Sequence, residues 1–217
     1  MSRNRARSGG VRHPARNAVL YGLVTIASIV LVFLGVADMR ATGRSGSPLL
    51  AIGLFPALLG PIFVIHYLSM IRVFRDLGSG RRAIARWTLP PEQFKRFREA
   101  EERVPAGSIL TNFYKPPRAL PTEGVEVIFS DDGVLIGGGY FPLSPTGGRR
   151  LQSVRYVAGE PASIEFGTAM RTSVQTSSAT TGTIRTAHTL RVPVAHDARL
   201  LAGEVVQRYE TILGRRG

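Results

Sequence analysis

The side chains best suited to acid–base or metal chemistry are the four histidines, His13, His66, His188 and His196. No two of them stand at the i,i+4 spacing that places two imidazoles on one helix face, and none belongs to an H-E-x-x-H run. His196 sits beside Asp197 and reads as a helix-start residue next to its cap. Asp131 and Asp132 are adjacent carboxylates, but Asp131-Asp132-Gly133 lies between two apolar runs and reads as a hairpin turn. Gly137, Gly138 and Gly139 lack the following helix and Lys-Ser/Thr pair of a phosphate loop. Consecutive glycines inside a strand pattern mark a bulge or a close backbone approach instead. Cysteine is absent, which removes thiolate nucleophiles, disulfides and Cys-based zinc or iron–sulfur sites. There is no G-x-S-x-G nucleophile elbow. The expectation is a chain with no catalytic residue, no metal and no cofactor, and thus not an enzyme.

What must position any functional surface is first of all a membrane anchor. Two apolar runs dominate the first third of the chain. Ala18 to Ala37 is 20 residues without a charge, and Leu49 to Ile71 is 23 residues with His66 as its single ionisable group. At 1.5 Å per residue the shorter run already covers about 30 Å, the thickness of a bilayer's hydrocarbon core. The first run is too long for the apolar core of a signal peptide, and a second span follows within a dozen residues. Together, residues 18–71 read as a transmembrane helical hairpin. Pro56 and Pro61 predict a kink in the second span. Gly53 and Gly60 are the positions where a helix can approach closely, either the first span or another protein. His66 falls near the predicted cytoplasmic end, at interface depth.

The net charge of +13 is distributed unevenly. Residues 1–17 carry Arg3, Arg5, Arg7, Arg12 and Arg16 and no acid; residues 72–86 carry Arg72, Arg75, Arg81, Arg82 and Arg86 against Asp76 alone. The loop between the spans holds only Arg40 and Arg44 beside Asp38. The positive-inside rule therefore places both termini in the cytoplasm, with a basic tail at 1–17 and a basic juxtamembrane linker at 72–83. A nucleic-acid-binding domain would concentrate its excess charge on the folded part. Here the excess flanks apolar runs and suits an anionic inner leaflet, to which each juxtamembrane Arg adds about 1 kcal/mol of attraction. A multi-pass protein of the cell (plasma) membrane is expected, with no nucleic-acid partner. The preponderance of Arg over Lys suggests a GC-rich, bacterial genome.

Residues 84–217 read as an α+β domain. The segment 76–82 is a short flexible joint. Residues 84–89 form a strand bearing the single Trp, and 90–104 a helix opened by Pro90-Pro91, with Glu92–Arg96 and Glu99–Arg103 at favourable i,i+4 spacing. Strands follow at 125–130, 134–143, 151–158, 162–170 and 184–194, with a low-complexity polar loop at 176–183. Asp197 to about Leu213 is an amphipathic closing helix, Gly214 its cap, with Leu201, Val205, Tyr209 and Ile212 as the buried stripe, widened by Leu200 and Leu213. The two arginines of the turn 146–150, Arg149 and Arg150, can reach headgroups together with Arg72, Arg75, Arg81 and Arg82.

The hairpin turn FSDDGVLI, the run LQSVRY, the strand TLRVPV and the closing helix DARLLAGEVVQRYETIL resemble those of bacterial pleckstrin-homology-like domains, some of which follow a pair of transmembrane helices. The resemblance spans residues 84–213 and implies an antiparallel sheet or partly open barrel closed by a C-terminal helix. It also implies a non-catalytic binding or scaffolding module, whose partner is the inner leaflet, another protein or a second copy. The alternative is an accessory subunit of a membrane transport or enzyme complex, docking through the hairpin. The helix at 90–104 departs from the pattern, since a pleckstrin fold runs strand to strand there.

Overall fold

The computed structural model describes residues 10–43, 45–105, 112–117, 119, 121–146, 149–177 and 180–215, with the side chains of 149 and 171–185 left aside. The chain divides into two units, one of residues 12–79 and one of residues 80–217 together with the segment up to Val11.

The first unit is a helical hairpin. Helix α1 spans Pro14–Thr42 and α2 spans Pro48–Gly78, of 29 and 31 residues, both long and apolar enough to cross a membrane. Proline opens each one, at the position where a missing N–H is no loss. α1 ends at Gly43, which adopts the left-handed conformation (φ 68°) and returns its N–H to the Met39 carbonyl at 3.0 Å. Only residues 43–47 separate the helices, so the connecting loop is shorter than the predicted 38–48. α2 also runs on past the apolar stretch: Arg72, Arg75 and Asp76 are helical, and the predicted flexible joint contracts to a turn after Gly78. The reason is simple. Nothing between Arg72 and Leu77 breaks a helix, and charge on a helix leaving a membrane costs little. Pro56 and Pro61 lie within the continuous α2, withdrawing the donors that the Ile52 and Ala57 carbonyls would otherwise receive.

The second unit contains two antiparallel sheets. β1 (Ala85–Leu89), β2 (Val125–Ser130), β3 (Gly133–Ile136) and β4 (Gly139–Pro142) form one, paired in chain order. β5 (Arg149–Val157), β6 (Ser163–Ser177) and β7 (Thr180–Pro193) form the other, again in chain order. Helix α3 (Pro91–Glu102) is inserted between β1 and β2 and buries Phe94 and Phe97; helix α4 (Arg199–Gly214) follows a 3₁₀ turn at His196–Ala198. The sheets do not close into a barrel. They share one core, in which Trp87 contacts Phe129 (5.0 Å between ring centroids), Phe129 contacts Phe166 (6.1 Å) and Phe166 meets Tyr209 edge-on (5.0 Å). That aromatic file runs from the four-stranded sheet through the three-stranded one to α4. The Trp87 indole N–H donates to the Pro193 carbonyl at 3.1 Å, a second tie between the sheets.

Several local expectations change. The run 134–143 is two strands, because Gly137 and Gly138 (φ 51° and 76°) make a two-residue hairpin turn rather than a bulge. The Asp131-Asp132 turn forms as expected, yet neither aspartate has a positive φ. Gly133 is required there by space instead: a Cβ would come within 2.5 Å of the Phe141 carbonyl oxygen. The described part of the polar stretch 176–183 is strand rather than loop. β6 reaches Ser177 and β7 begins at Thr180, with 178–179 outside the described residues. On α4 the buried face is Ala202, Val205 and Tyr209, while Leu200 is 87% and Leu201 39% exposed. Asp197 falls in the 3₁₀ turn and makes no side-chain cap bond, so the helix begins two residues later than expected.

Candidate functional site

The glycines of the hairpin are positioned by what faces them. A Cβ at Gly53 would lie 2.7 Å from the Ser28 carbonyl oxygen and 3.0 Å from the Leu31 Cβ; one at Gly60 would overlap the Thr25 hydroxyl. From the other side, a Cβ at Gly35 would lie 2.6 Å from the Leu50 backbone nitrogen. Gly35, Gly53 and Gly60 are thus a seam along which α1 and α2 touch almost backbone to backbone. Thr25 keeps its hydroxyl bonded to the Tyr21 carbonyl at 2.7 Å. Tyr21 stacks on Phe63 and Tyr67 at 5.0 and 5.4 Å between centroids. The seam is filled by the chain's own helix, so a docking partner would have to use a different face. His66 lies on the exposed side of α2, edge-on to Tyr67, among exposed apolar side chains such as Leu58, Ile62 and Ile65.

The arginines expected to meet headgroups differ in their surroundings. Arg72 and Arg75 are exposed on the last turns of α2, where positive charge complements the carbonyl end of the helix. Arg81 is exposed as well. Arg82 is engaged with Asp132 of the β2–β3 turn, although both side chains remain about half exposed (45% and 58%). Arg150 is exposed on β5 opposite Ala169, and the Arg149 side chain lies outside the described residues.

Two further polar groupings had no signal in the sequence. In the first, Arg208 of α4 grips Asp131 with two parallel bonds, Nε to Oδ1 at 2.8 Å and Nη2 to Oδ2 at 3.0 Å. These bonds hold the Asp131 carboxyl below its ordinary pKa, and the Arg208 pKa is raised in return. Beside them an open groove of about 310 Å³ runs between the β2–β3 turn, Ser144 and Thr146 of the β4–β5 connection, and Arg215 at the end of α4. Its aspartates are already matched by Arg82 and Arg208, so neither carboxylate stands open to a cation.

The second grouping is buried. Asn112 is 3% exposed and clips onto β7: its Oδ1 accepts the Arg191 N–H at 2.9 Å and the Tyr114 N–H at 3.0 Å, and its Nδ2 donates to the Arg191 carbonyl at 2.9 Å. The Arg191 side chain turns to Glu101 near the end of α3, with Nε to Oε1 at 2.8 Å and the two side chains 16% and 11% exposed. Burial pushes the Glu101 carboxyl above its ordinary pKa, against the pull of Arg191. Nearby ion pairs also differ from those expected on α3. Arg96 approaches Glu160 rather than Glu92, and the i,i+4 pair seen is Arg98–Glu102, both at the outer limit of contact (3.9 and 3.8 Å). Each of these groups has a structural partner, and among the described residues no cluster of three metal-ligating side chains occurs.

No family model, curated protein or solved structure matches the chain.

Proposed function

We propose that the chain is a membrane-anchored, non-catalytic module whose C-terminal domain binds and scaffolds at an anionic inner leaflet. The observation that carries this reading is the conjunction of a two-helix membrane-length anchor with exposed arginines on its last turns and just beyond, Arg72, Arg75 and Arg81, for which no acidic partner is seen among the described residues. Each such charge near an anionic surface contributes about 1 kcal/mol, so the three together favour an anionic over a neutral leaflet by roughly two orders of magnitude. The domain's four-stranded and three-stranded meanders with a closing C-terminal helix support a pleckstrin-homology-like assignment, with α3 as an insertion after the first strand. On that assignment the domain is a recognition surface, and the buried polar groups described above hold it together.

The test is native mass spectrometry of the full chain released from nanodiscs of mixed phosphatidylcholine and phosphatidylglycerol. The chain should retain phosphatidylglycerol preferentially, and Arg72→Gln, Arg75→Gln and Arg81→Gln combined should remove that preference. Equal retention of both lipids by the unaltered chain would refute leaflet binding.

A further inference from the structure

The segment that precedes α1 belongs to the same unit as the C-terminal sheets. Val11 makes an antiparallel bridge to Tyr140 of β4: its N–H donates to the Tyr140 carbonyl, and its carbonyl accepts the Tyr140 N–H, both at 2.9 Å. Gly10 packs against the ring of Phe141, where a Cβ would come 2.7 Å from Cζ, so any larger residue must displace that buried ring. β4 is the end strand of its sheet, and the segment therefore covers backbone groups that would otherwise stand open. Only Arg12 and His13 then connect Val11 to Pro14, the first residue of α1. His13 adopts φ 51° and ψ 55° and is the one non-glycine residue with positive φ among those described. That conformation is unfavourable for a residue with a side chain, and more so directly before proline.

We propose that the β4 edge is a strand-exchange site, at which Gly10–Val11 of one copy pairs with Tyr140 of a second copy. An edge segment tied back by a short, strained hinge is the arrangement that favours exchange, because the same contacts form between copies while the hinge relaxes. The two backbone bonds and the Phe141 seat are identical in either connection. The exchange is reciprocal, so a two-fold pair fills the β4 edge of both copies. A second copy is a better occupant than a foreign peptide, since the seat disfavours any residue larger than glycine against the buried Phe141 ring and already holds this sequence. Anchoring by α1 and α2 in one membrane raises the effective concentration of copies for each other. Strand exchange is independent of what the domain binds.

The chain has no cysteine, so Glu210→Cys gives a single labelling position on the exposed face of α4. Single-molecule photobleaching of the labelled full chain in phospholipid vesicles, across a series of protein densities, counts the copies in each complex. The labelled chain should show two-step bleaching beyond random co-capture. His13→Gly, which relaxes the hinge without touching the seat, should weaken pairing at least tenfold. Gly10→Val, which blocks the seat, should abolish it, while the fluorescence of the single Trp, Trp87, confirms that the domain remains folded. Single-step bleaching at every density would overturn the proposal, as would pairing that survives Gly10→Val unchanged.

Discussion

Replacing Arg191 by Met leaves the Glu101 carboxylate in a pocket where only 11% of its side chain meets solvent. Removing one partner of a buried ion pair costs about 3–5 kcal/mol, and the residual exposure of this pair places it at or just below the lower end, about 2–3 kcal/mol near neutral pH. Glu101→Met with Arg191→Met removes both charges and should recover most of that loss, to within about 1 kcal/mol of the unaltered chain, because apolar groups of similar volume need no desolvation. The Asn112 clip survives in every variant, since it holds the backbone of residue 191. Trp87 supplies the assay: it is the only Trp in the chain and is buried in the domain core, so its fluorescence follows domain unfolding in urea while detergent preserves the hairpin. The pH dependence has a definite sign. Glu101 has a raised pKa when folded, so the folded state holds its proton to higher pH than the unfolded chain does. Its contribution to stability is therefore present below the ordinary carboxylate pKa and declines as pH rises through the folded value. The Arg191→Met penalty should shrink on acidification for the same reason, as Glu101 takes up a proton. If the single and double variants lost equal stability, or the single-variant penalty did not shrink in acid, the coupling assigned to this pair would be refuted.

Three other perturbations separate packing from backbone effects. Tyr209→Phe removes the buried hydroxyl that donates to the Ser130 carbonyl at 2.6 Å; a loss of about 1–2 kcal/mol in the same Trp87 melt is expected. Gly138→Ala meets no atom within 4 Å but must hold φ 76°, so it should cost about 1 kcal/mol from backbone strain alone; no change would mean that the β3–β4 turn is not left-handed. Gly53→Leu with Gly60→Leu drives side chains into the Ser28 and Thr25 positions. Spin labels at Phe33→Cys and Phe55→Cys should then report a longer, broader distance between the helices, and an unchanged distribution would contradict the seam.

The anchor was legible because its signal is length and composition, which no tertiary context alters. β2 was legible to the residue because a β-branched, aromatic run ends at a turn. Elsewhere the reading failed where tertiary contacts decide. β3 and β4 are four residues each, with all of β3 and three residues of β4 buried, so no alternation marks the break between them and two glycines are the only sign. Thr and Ser made 176–183 look like a loop, although Thr suits a strand once a partner strand is present. The 3₁₀ turn at His196–Ala198 shifted the start of α4 and left Leu200 and Leu201 on the exposed side. The glycine seam was visible as small residues, but its occupant was not. The Glu101–Arg191 pair and the Val11–Tyr140 bridge join residues 90 and 129 positions apart, and periodicity carries no information at that range.

The central claim, an anchor with its folded domain at the cytoplasmic face, is tested most directly by cysteine accessibility. Because the chain has no cysteine of its own, Ser45→Cys in the loop between α1 and α2 and Glu210→Cys on α4 each provide one unambiguous site. In intact bacterial cells expressing the chain, a membrane-impermeant maleimide should label position 45 and should reach position 210 only after permeabilisation. Labelling of position 210 from outside, or of both positions alike in intact cells, would contradict it.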